Sequence, residues 1–328
     1  MGLYQAQVGL RWDTLQQRYA VQLITPEKKM ELYDRYAPRY LYQKKANIYG
    51  CCIKLLTELG DVKDKWEDNF YTMDENIRSH GRLVVLKEKD GKMNVKYDPY
   101  TNTAFLTNIE YYGWIKSIAL AVAGDVLEDE HEIYHIHGAA IDVDGVGVSI
   151  IAPPGTGKTT HSWGLLRLKG ARLVADDWFF VRLFERGSLA FGSEKNCYVE
   201  ADIGKIWGEY EKLVEKVRFD ERGRAVINVR WIVGSGGVIP MTTLRKIILL
   251  KREAGDRRVV RKVSAGEGLE YLVKNDFCNP HQLVRDERKK KLRKNFFERL
   301  LDQTDVYLVN TVKPPLETHR AIAKLIKA

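Results

Sequence analysis

The chain has 328 residues, of which 45% are apolar, 10% aromatic and 30% charged. A sequence this apolar can bury enough surface to offset the entropy of ordering, which excludes a disordered chain. The four cysteines are too few for a disulfide scaffold and lack C-x-x-C spacing, so we expect thiols in a reducing compartment. The formal net charge of +9 favours an anionic partner, such as the phosphates of a nucleotide.

The sequence predicts no segment that crosses a membrane. The best candidate, residues 117–124, is far shorter than the roughly 18 continuous apolar residues that a bilayer requires. Residues 1–5 lack a basic segment followed by an apolar run, so we expect no secretory signal. The expectation is a cytoplasmic protein without a membrane partner.

Residues 1–128 are predicted to form a smaller α/β region without a chemical motif. Segments 82–86 and 93–97 flank Asp90-Gly91 and predict a hairpin, and residues 111–127 predict a helix. The acidic residues 128–130 are expected to form an exposed boundary. Tyrosines between positions 33 and 49 alternate with basic residues, which is consistent with a nucleic-acid stacking surface or with ordinary surface packing.

Residues 129–328 are predicted to form a second, larger α/β region. Strands are expected at 139–143, 146–151 and 171–175, with a helix from 158 to a cap at Gly170. This strand–loop–helix–strand order indicates a parallel or mixed sheet covered by helices. Strands at 246–250 and 306–309 and helices at 285–301 and 316–326 follow. The basic run 288–294 fits a solvated helix face better than a nucleic-acid site, so no nucleic-acid partner is expected.

The strongest motif is the loop 152–160, which reads Ala-Pro-Pro-Gly-Thr-Gly-Lys-Thr-Thr. It matches the phosphate-binding pattern G-x-x-x-x-G-K-[ST] at every position except the first, which is alanine. The two glycines let successive amides turn inward around a phosphate, and the helix that follows directs its positive end to the same place. The predicted nucleotide-binding residues are Gly155, Thr156, Gly157, Lys158, Thr159 and Thr160.

Asp176 and Asp177 follow the strand 171–175, eighteen and nineteen residues after Lys158. We expect this strand to lie beside the loop strand, so that both carboxylates face the terminal phosphate. One carboxylate can then hold magnesium while the other accepts a proton from an attacking hydroxyl, although aspartates that cap a turn would look the same. Upstream, His131, His135 and His137 could suggest a metal site. His135 and His137 would share one face of a strand, but no third ligand follows them at a convincing metal-site spacing.

Residues 137–148, the phosphate loop and residues 170–177 together resemble the catalytic domain of bacterial HPr kinase/phosphorylase. The loop is also similar to that of phosphoenolpyruvate carboxykinase, whose nucleotide fold is related. The strong match covers about forty residues, and a weaker one extends over 130–328. The resemblance implies a P-loop kinase domain of the HPr kinase / phosphoenolpyruvate carboxykinase type, and a homo-oligomer.

The resemblance also implies roles for individual residues. His137 would help to position the catalytic carboxylate and the phosphate, Asp177 would act as the base toward the acceptor, and Lys158 would keep its loop role. Magnesium would be held by Thr159, Asp176 and a downstream acid, for which Glu200 is chosen and Asp202 is the alternative. An arginine would stabilise the transferred phosphoryl group. The arginine candidates, in order of preference, are Arg230, Arg224 and Arg245.

Two departures concern the substrate. The glycine-rich signature with which the bacterial enzymes recognise HPr is not visible near residue 200, and the spacing from Lys158 to the aspartates is one residue longer than expected. We therefore expect a magnesium-dependent kinase that transfers the γ-phosphoryl group of ATP to a hydroxyl of a protein serine, a free amino acid or an alcohol. The alternatives are a P-loop ATPase or nucleotide-binding regulatory protein, and a carboxykinase-like lyase. The sequence alone does not distinguish ATP from ADP or pyrophosphate as the donor.

Overall fold

The computed structural model describes residues 19–200, 202–211 and 217–327. Residues 1–18, which contain the N-terminal segment considered for a secretory signal, lie outside the described residues. The architecture is mixed α/β, with two large sheets and a small one. Within the described ranges, no helix is both long and apolar enough to cross a membrane.

Seven strands between residues 21 and 107 form the first sheet. Their bounds are β1 Val21–Leu23, β2 Tyr42–Ile48, β3 Cys51–Thr57, β4 Tyr71–Thr72, β5 Gly81–Leu86, β6 Asn94–Asp98 and β7 Thr103–Thr107. The order across the sheet is β1-β6-β7-β5-β3-β2-β4. The helices of this region are α1 Pro26–Tyr36, α2 Gly60–Asn69 and α3 Tyr112–His131.

The two faces of the first sheet are covered by different helices. In β5, Leu83 and Val85 pack into the core that contains α3, whereas Val84 and Leu86 pack into the core that contains α1. A strand that is buried on both faces reads as a continuous apolar run, as β5 does. The predicted hairpin of β5 with β6 is wrong, because β7 lies between them and pairs with both.

The predicted helix at 111–127 is confirmed as α3, and sixteen of its twenty residues are buried. Its small residues allow close packing. A Cβ atom on Gly124 would lie 2.3 Å from the ring of His135, so only glycine fits there. The division after residue 128 stays a prediction, and that position falls within α3. The core around α3 also takes in Trp178 and Phe180, which belong to the second region.

Eleven strands follow α3 in the described residues. Their bounds are β8 Ile133–Val143, β9 Val146–Ile151, β10 Ala171–Ala175, β11 Trp178–Phe184, β12 Gly187–Gly192, β13 Asn196–Glu200, β14 Arg218–Phe219, β15 Arg224–Asn228, β16 Met241–Lys251, β17 Val260–Val263 and β18 Asp305–Asn310. Strands β13, β15 and β14 form the small sheet, and the other eight form the second large sheet. The helices are α4 Lys158–Leu165, α5 Ile203–Ile206, α6 Arg230–Val233, α7 Ala265–Lys274, α8 Glu287–Asp302 and α9 Pro315–Lys327.

The second large sheet is mixed, as predicted, because β9 is antiparallel to β8 but parallel to β16. Strand β10 pairs antiparallel with the other edge of β8. The prediction that the aspartate strand β10 lies directly beside the loop strand β9 is therefore wrong, since β8 separates them. Both strands still run in the same direction, so their carboxyl ends reach the same edge of the sheet.

Helix α4 ends earlier than predicted. It stops at Leu165, and the chain continues in tight turns whose amides bond three residues back, such as Leu168 to Leu165 at 3.0 Å. Gly170 has the expected positive φ of 79° but follows these turns rather than capping the helix. Because a Cβ atom there would collide with the carboxylate of Asp144, glycine is required. Helices α8 and α9 confirm the predicted helices at 285–301 and 316–326.

The acidic residues 128–130 were predicted to be an exposed boundary and the basic run 288–294 a solvated helix face. Both segments contain buried charges, so both predictions are corrected. Glu128 on α3 and Lys289 on α8 are buried, and their charged atoms lie 3.1 Å apart. The Lys289 ammonium also lies 3.1 Å from Asp125 and 2.9 Å from Asp129. Arg293, one turn further along α8, is buried beside the same carboxylates. The opposite charges of the two segments thus neutralise each other inside the protein.

Candidate active site

The phosphate loop connects β9 to α4 and has the predicted backbone. Gly155 and Gly157 have φ values of +77° and +95°, which side chains rarely allow. The hydroxyl of Thr156 donates to the carbonyl of Pro153 at 2.7 Å, and the hydroxyl of Thr311 donates to the carbonyl of Thr156 at 2.8 Å. The turn is therefore closed on itself and held from outside by the segment that follows β18.

Three of the predicted site residues meet at the start of α4. The Nζ atom of Lys158 lies 2.5 Å from Oδ1 of Asp177 and 3.4 Å from Nε2 of His137. The same histidine nitrogen lies 3.2 Å from Oδ1 of Asp177. A lysine, a carboxylate and an imidazole thus form one compact group beside the phosphate loop.

Strand pairing explains how His137 reaches Asp177. His137 lies opposite Trp178 in the antiparallel pairing of β8 with β11, and the amide of Gly138 donates to the carbonyl of Asp177 at 2.9 Å. A Cβ atom on Gly138 would lie 2.8 Å from the carbonyl oxygen of Ile150 on β9. The glycine after the histidine is therefore needed for β8 to pass this close to the loop strand.

The hydrogen bonds of His137 define its protonation. Its Nδ1 lies 2.9 Å from the carbonyl oxygen of Cys278, which can only accept, so Nδ1 carries the proton. Burial, followed by the charge of Lys158, lowers the pKa of His137, which favours the neutral ring with Nε2 as an acceptor. Burial alone would raise the pKa of Asp177, but Lys158 and Lys116 hold it well below its usual value. Asp177 is therefore ionised.

Asp176 contacts α4 through its side chain. Its Oδ1 lies 3.2 Å from the hydroxyl of Ser162, which also lies 3.0 Å from the carbonyl of Thr159. Burial raises the pKa of Asp176 to about 6, against the opposing charge of Lys158. The two neighbouring aspartates thus have different surroundings, one between cations and one in a buried polar site. Thr160 accepts a hydrogen bond at its carbonyl from the indole of Trp207 at 2.9 Å.

The structure does not bring Glu200 to this group. Glu200 is the last residue of β13, and the charged side chains that act on it include Asp202, its sequence-based alternative, and Arg222. The acid found beside Asp177 is instead Glu194. Glu200 as a magnesium ligand stays a prediction.

The arginine candidates lie in different places. Arg230 is the first residue of α6 and lines, with Asp176, a small cleft. Arg224 donates from Nε to Asp220 at 3.1 Å and so is engaged in the small sheet. Arg245 is an exposed residue of β16. Of the three, Arg230 shares a cleft with a predicted site residue.

Sequence reasoning missed Lys116 and Glu194. The Nζ atom of Lys116 lies 3.3 Å from Oδ2 of Asp177 and 3.0 Å from Oε1 of Glu194, and its side chain is only 2% exposed. Asn69, at the end of α2, donates to the same Glu194 oxygen at 3.1 Å. The sequence feature that could have identified Lys116 was a lysine inside an otherwise apolar predicted helix. Asp177 is therefore held between Lys116 and Lys158, one from each predicted region.

Comparison with known proteins gives the site a context. No family model matches the chain. The chain is 30% identical to the HPr kinase/phosphorylase of Geobacillus thermodenitrificans over 116 residues, which are 35% of this chain and 31% of that protein. It is 34% identical to the HPr kinase/phosphorylase of Bacillus licheniformis over 103 residues, 31% of this chain and 27% of that protein.

This chain contains an HPr kinase-like domain. The resemblance inferred from its motifs is thereby confirmed. The similarity spans less than a third of the length of each of these relatives. The kinase-like similarity therefore concerns part of each protein.

The buried pair of Lys116 and Glu194 gives a first testable prediction. Either Lys116→Met or Glu194→Gln leaves a partner unpaired. The decreases in the free energy of unfolding of the two single variants should therefore add up to more than the decrease in the double variant. We expect a coupling energy of about 1–3 kcal/mol in a double-mutant cycle measured by denaturant unfolding. Additivity within about 0.5 kcal/mol would show that the two side chains act independently.

Proposed function

We propose that this protein is a magnesium-dependent kinase that transfers the γ-phosphoryl group of ATP to a hydroxyl acceptor. The observation that carries the proposal is the contact of Lys158 with Asp177 and His137 beside a closed phosphate loop. The printed names of the relatives, HPr kinase/phosphorylase, support it. We further propose that residues 129–328 adopt a P-loop kinase fold of the HPr kinase / phosphoenolpyruvate carboxykinase type.

The proposed reaction follows from the roles of the chain's own groups. The amides of the loop and the ammonium of Lys158 bind the terminal phosphates and offset their charge. The acceptor hydroxyl attacks the γ-phosphorus, its proton passes to the ionised Asp177, and the bond from the phosphorus to the β-phosphate oxygen breaks with its electron pair leaving on ADP. His137, fixed through Cys278, accepts from Lys158 at Nε2 and so keeps the ammonium group in place.

The donor groups at the loop fit magnesium. A buried carboxylate on Asp176 and a hydroxyl on Thr159 are oxygen ligands of the kind that Mg²⁺ prefers, and Ser162 orients the carboxylate from behind. The chemistry that magnesium supplies in such a site is neutralisation of charge on the phosphate oxygens. We propose Thr159 and Asp176 as its holders, while Glu200 lies at the far end of β13.

The acceptor is proposed to be a protein serine or a small hydroxyl compound, and the protein is proposed to work in the cytoplasm as a homo-oligomer. The direct test is transfer of label from [γ-³²P]ATP to a panel of hydroxyl compounds and serine-containing proteins, with ADP measured in parallel. We expect ADP formation to require an acceptor. Equal ADP formation without any acceptor would indicate an ATPase instead.

Lys158→Ala provides a second prediction. Loss of the ammonium group removes the main charge stabiliser of the transferring phosphoryl group, so kcat should fall by about 10²-fold or more while the protein stays folded. Steady-state ADP release and circular dichroism measure the two quantities. Lys169→Ala is the matched control, because Lys169 is exposed just after the same helix. Wild-type turnover in Lys158→Ala would contradict the assignment.

A further inference from the structure

A left-handed turn follows helix α7 and lies beside the candidate active site. Its three residues, Asp276, Phe277 and Cys278, have positive φ values of 50°, 54° and 54°. In this region the Cβ atom of a side chain comes close to a carbonyl oxygen, so residues other than glycine adopt it rarely and at a cost. Strain of this kind persists only where the surrounding structure holds it, and such positions cluster at functional sites.

The turn presents one carbonyl group to the site. The carbonyl oxygen of Cys278 lies 2.9 Å from Nδ1 of His137, and both residues are buried. Because a carbonyl can only accept, this contact places the ring proton on Nδ1 and leaves Nε2 to accept from Lys158 at 3.4 Å. The position of this carbonyl therefore decides whether His137 offers Lys158 a lone pair or a proton.

A single amide group bridges the two ends of the turn. Nε2 of Gln282 donates to the carbonyl oxygens of Asp276 and Asn279, at 3.0 Å each. These two carbonyls lie on either side of Cys278 in the chain. Because Gln282 is only 4% exposed, solvent does not compete for its hydrogen bonds. The amide thus holds the backbone of the strained segment from inside the protein.

The oxygen of the same amide is fixed by helix α8. Oε1 of Gln282 accepts from the guanidinium of Arg293, which can only donate, and this determines the orientation of the amide. Arg293 also donates to the carbonyl of Val284 at 3.0 Å and lies 3.6 Å from the carboxylate of Glu128 on α3. A buried series of contacts therefore leads from α3 through Arg293 and Gln282 to the turn.

The side chains of the turn make contacts of a different kind. The ring of Phe277 stacks on that of Phe297, with centroids 5.6 Å apart. Asp276 pairs with Arg285, and each of these two side chains is about half exposed. An exposed ion pair contributes little, and stacking holds a ring rather than the backbone. Gln282 instead binds the carbonyl groups on both sides of Cys278.

We propose that Gln282 is a positioning residue: by holding the left-handed turn, it keeps the Cys278 carbonyl where it fixes His137 with the proton on Nδ1. The inference rests on the proposed kinase function, in which His137 accepts from Lys158. Without Gln282 the segment relaxes toward negative φ values and the carbonyl of Cys278 moves away. His137 then populates both tautomers, and Lys158 loses an acceptor beside the phosphate loop.

The test observes the tautomer of His137 by ¹H–¹⁵N NMR of the histidine rings in the full chain. The sequence has seven histidines, and the signals of His137 are those that His137→Gln lacks. The wild type should show a single form protonated on Nδ1. Gln282→Met keeps the length of the side chain but donates nothing, so both tautomers should appear. We expect kcat to fall by about 10- to 100-fold, as for a small misplacement, with KM for ATP changed less.

A glycine in the turn provides the rescue. Because glycine adopts positive φ without strain, adding Asp276→Gly to Gln282→Met should restore the single tautomer and most of the lost turnover. Asp276→Gly alone should change neither quantity. The exposed Gln43→Met is the matched control and should behave as the wild type.

Two results overturn the inference: a single form protonated on Nδ1 in folded Gln282→Met, or a mixture of tautomers that Asp276→Gly does not reduce. If circular dichroism shows that Gln282→Met is unfolded, Gln282→Glu gives the same readout, because a carboxylate paired with Arg293 keeps the acceptor and lacks the donor. Acceptor-dependent ADP formation by the wild type tests the kinase proposal separately. Its absence would refute the kinase function, whereas the NMR result alone decides whether the turn holds His137.

Discussion

Asp177→Asn is expected to lower kcat by about 10²- to 10⁴-fold, the range attributed to a positioned general base. Asparagine keeps the shape of the side chain and its place between Lys116 and Lys158, but it cannot take the proton of the acceptor. Because one negative charge beside Lys158 is lost, nucleotide phosphates should bind at least as tightly as before. Single-turnover transfer and calorimetric titration with an ATP analogue measure the two effects separately.

The control for this prediction is Asp144→Asn. Asp144 is exposed in the turn between β8 and β9, where its φ of 51° suits asparagine, so neither turnover nor binding should change. If Asp177→Asn lost nucleotide binding together with turnover, a metal-binding role for Asp177 would replace its role as a base. Unchanged turnover would refute the mechanism.

Lys289→Met is expected to have the largest effect on stability. Its ammonium lies within 3.1 Å of Asp125 and Glu128 and 2.9 Å of Asp129, and its side chain is 1% exposed. Removing the cation leaves the buried Asp125 without its main partner, since Arg293 is more distant from it at 3.9 Å. Glu128 and Asp129 each lose one partner and keep His135 and Arg288, respectively. The free energy of unfolding should fall by about 3–5 kcal/mol, the usual cost of breaking a buried ion pair from one side.

The next residue supplies the control for the stability prediction. Lys290 is 56% exposed and, among the residues that the structure describes, pairs with Glu287, so Lys290→Met should change the free energy of unfolding by no more than about 0.5 kcal/mol. Denaturant unfolding of both variants measures the contrast. Equal effects at positions 289 and 290 would mean that the basic run is solvated along its whole length.

Local chemistry made part of this protein predictable. The positive φ angles of Gly155 and Gly157, the strand before them and the helix after them all follow from residues a few positions apart. The meeting of His137 with Asp177 was expected only from the family resemblance, because it depends on the register of β8 with β11. The register of two paired strands brings together residues that lie far apart in the chain. The residues around either position therefore do not predict it.

The features that were missed depend on contacts across the two regions. Lys116 is a buried lysine because Asp177 and Glu194 reach it from the other region, and nothing in the neighbouring sequence of α3 reveals them. In the sequence, Glu128 and Lys289 likewise look like solvated surface residues, because each is neutralised by a residue from the other region. The turn at Asp90-Gly91 is a correct local signal, but β7 enters between the strands that it joins.

Helix α3 connects these observations. Lys116 near its start contacts Asp177, and Asp125 and Glu128 near its end contact Lys289. A fragment that began at residue 129 would therefore lose Lys116 from the candidate active site, and Lys289 would lose its contacts with Asp125 and Glu128. A fragment made to express the proposed phosphotransfer unit alone, or to exchange it with a homologous unit, should begin upstream of Tyr112 so that it includes the whole of α3.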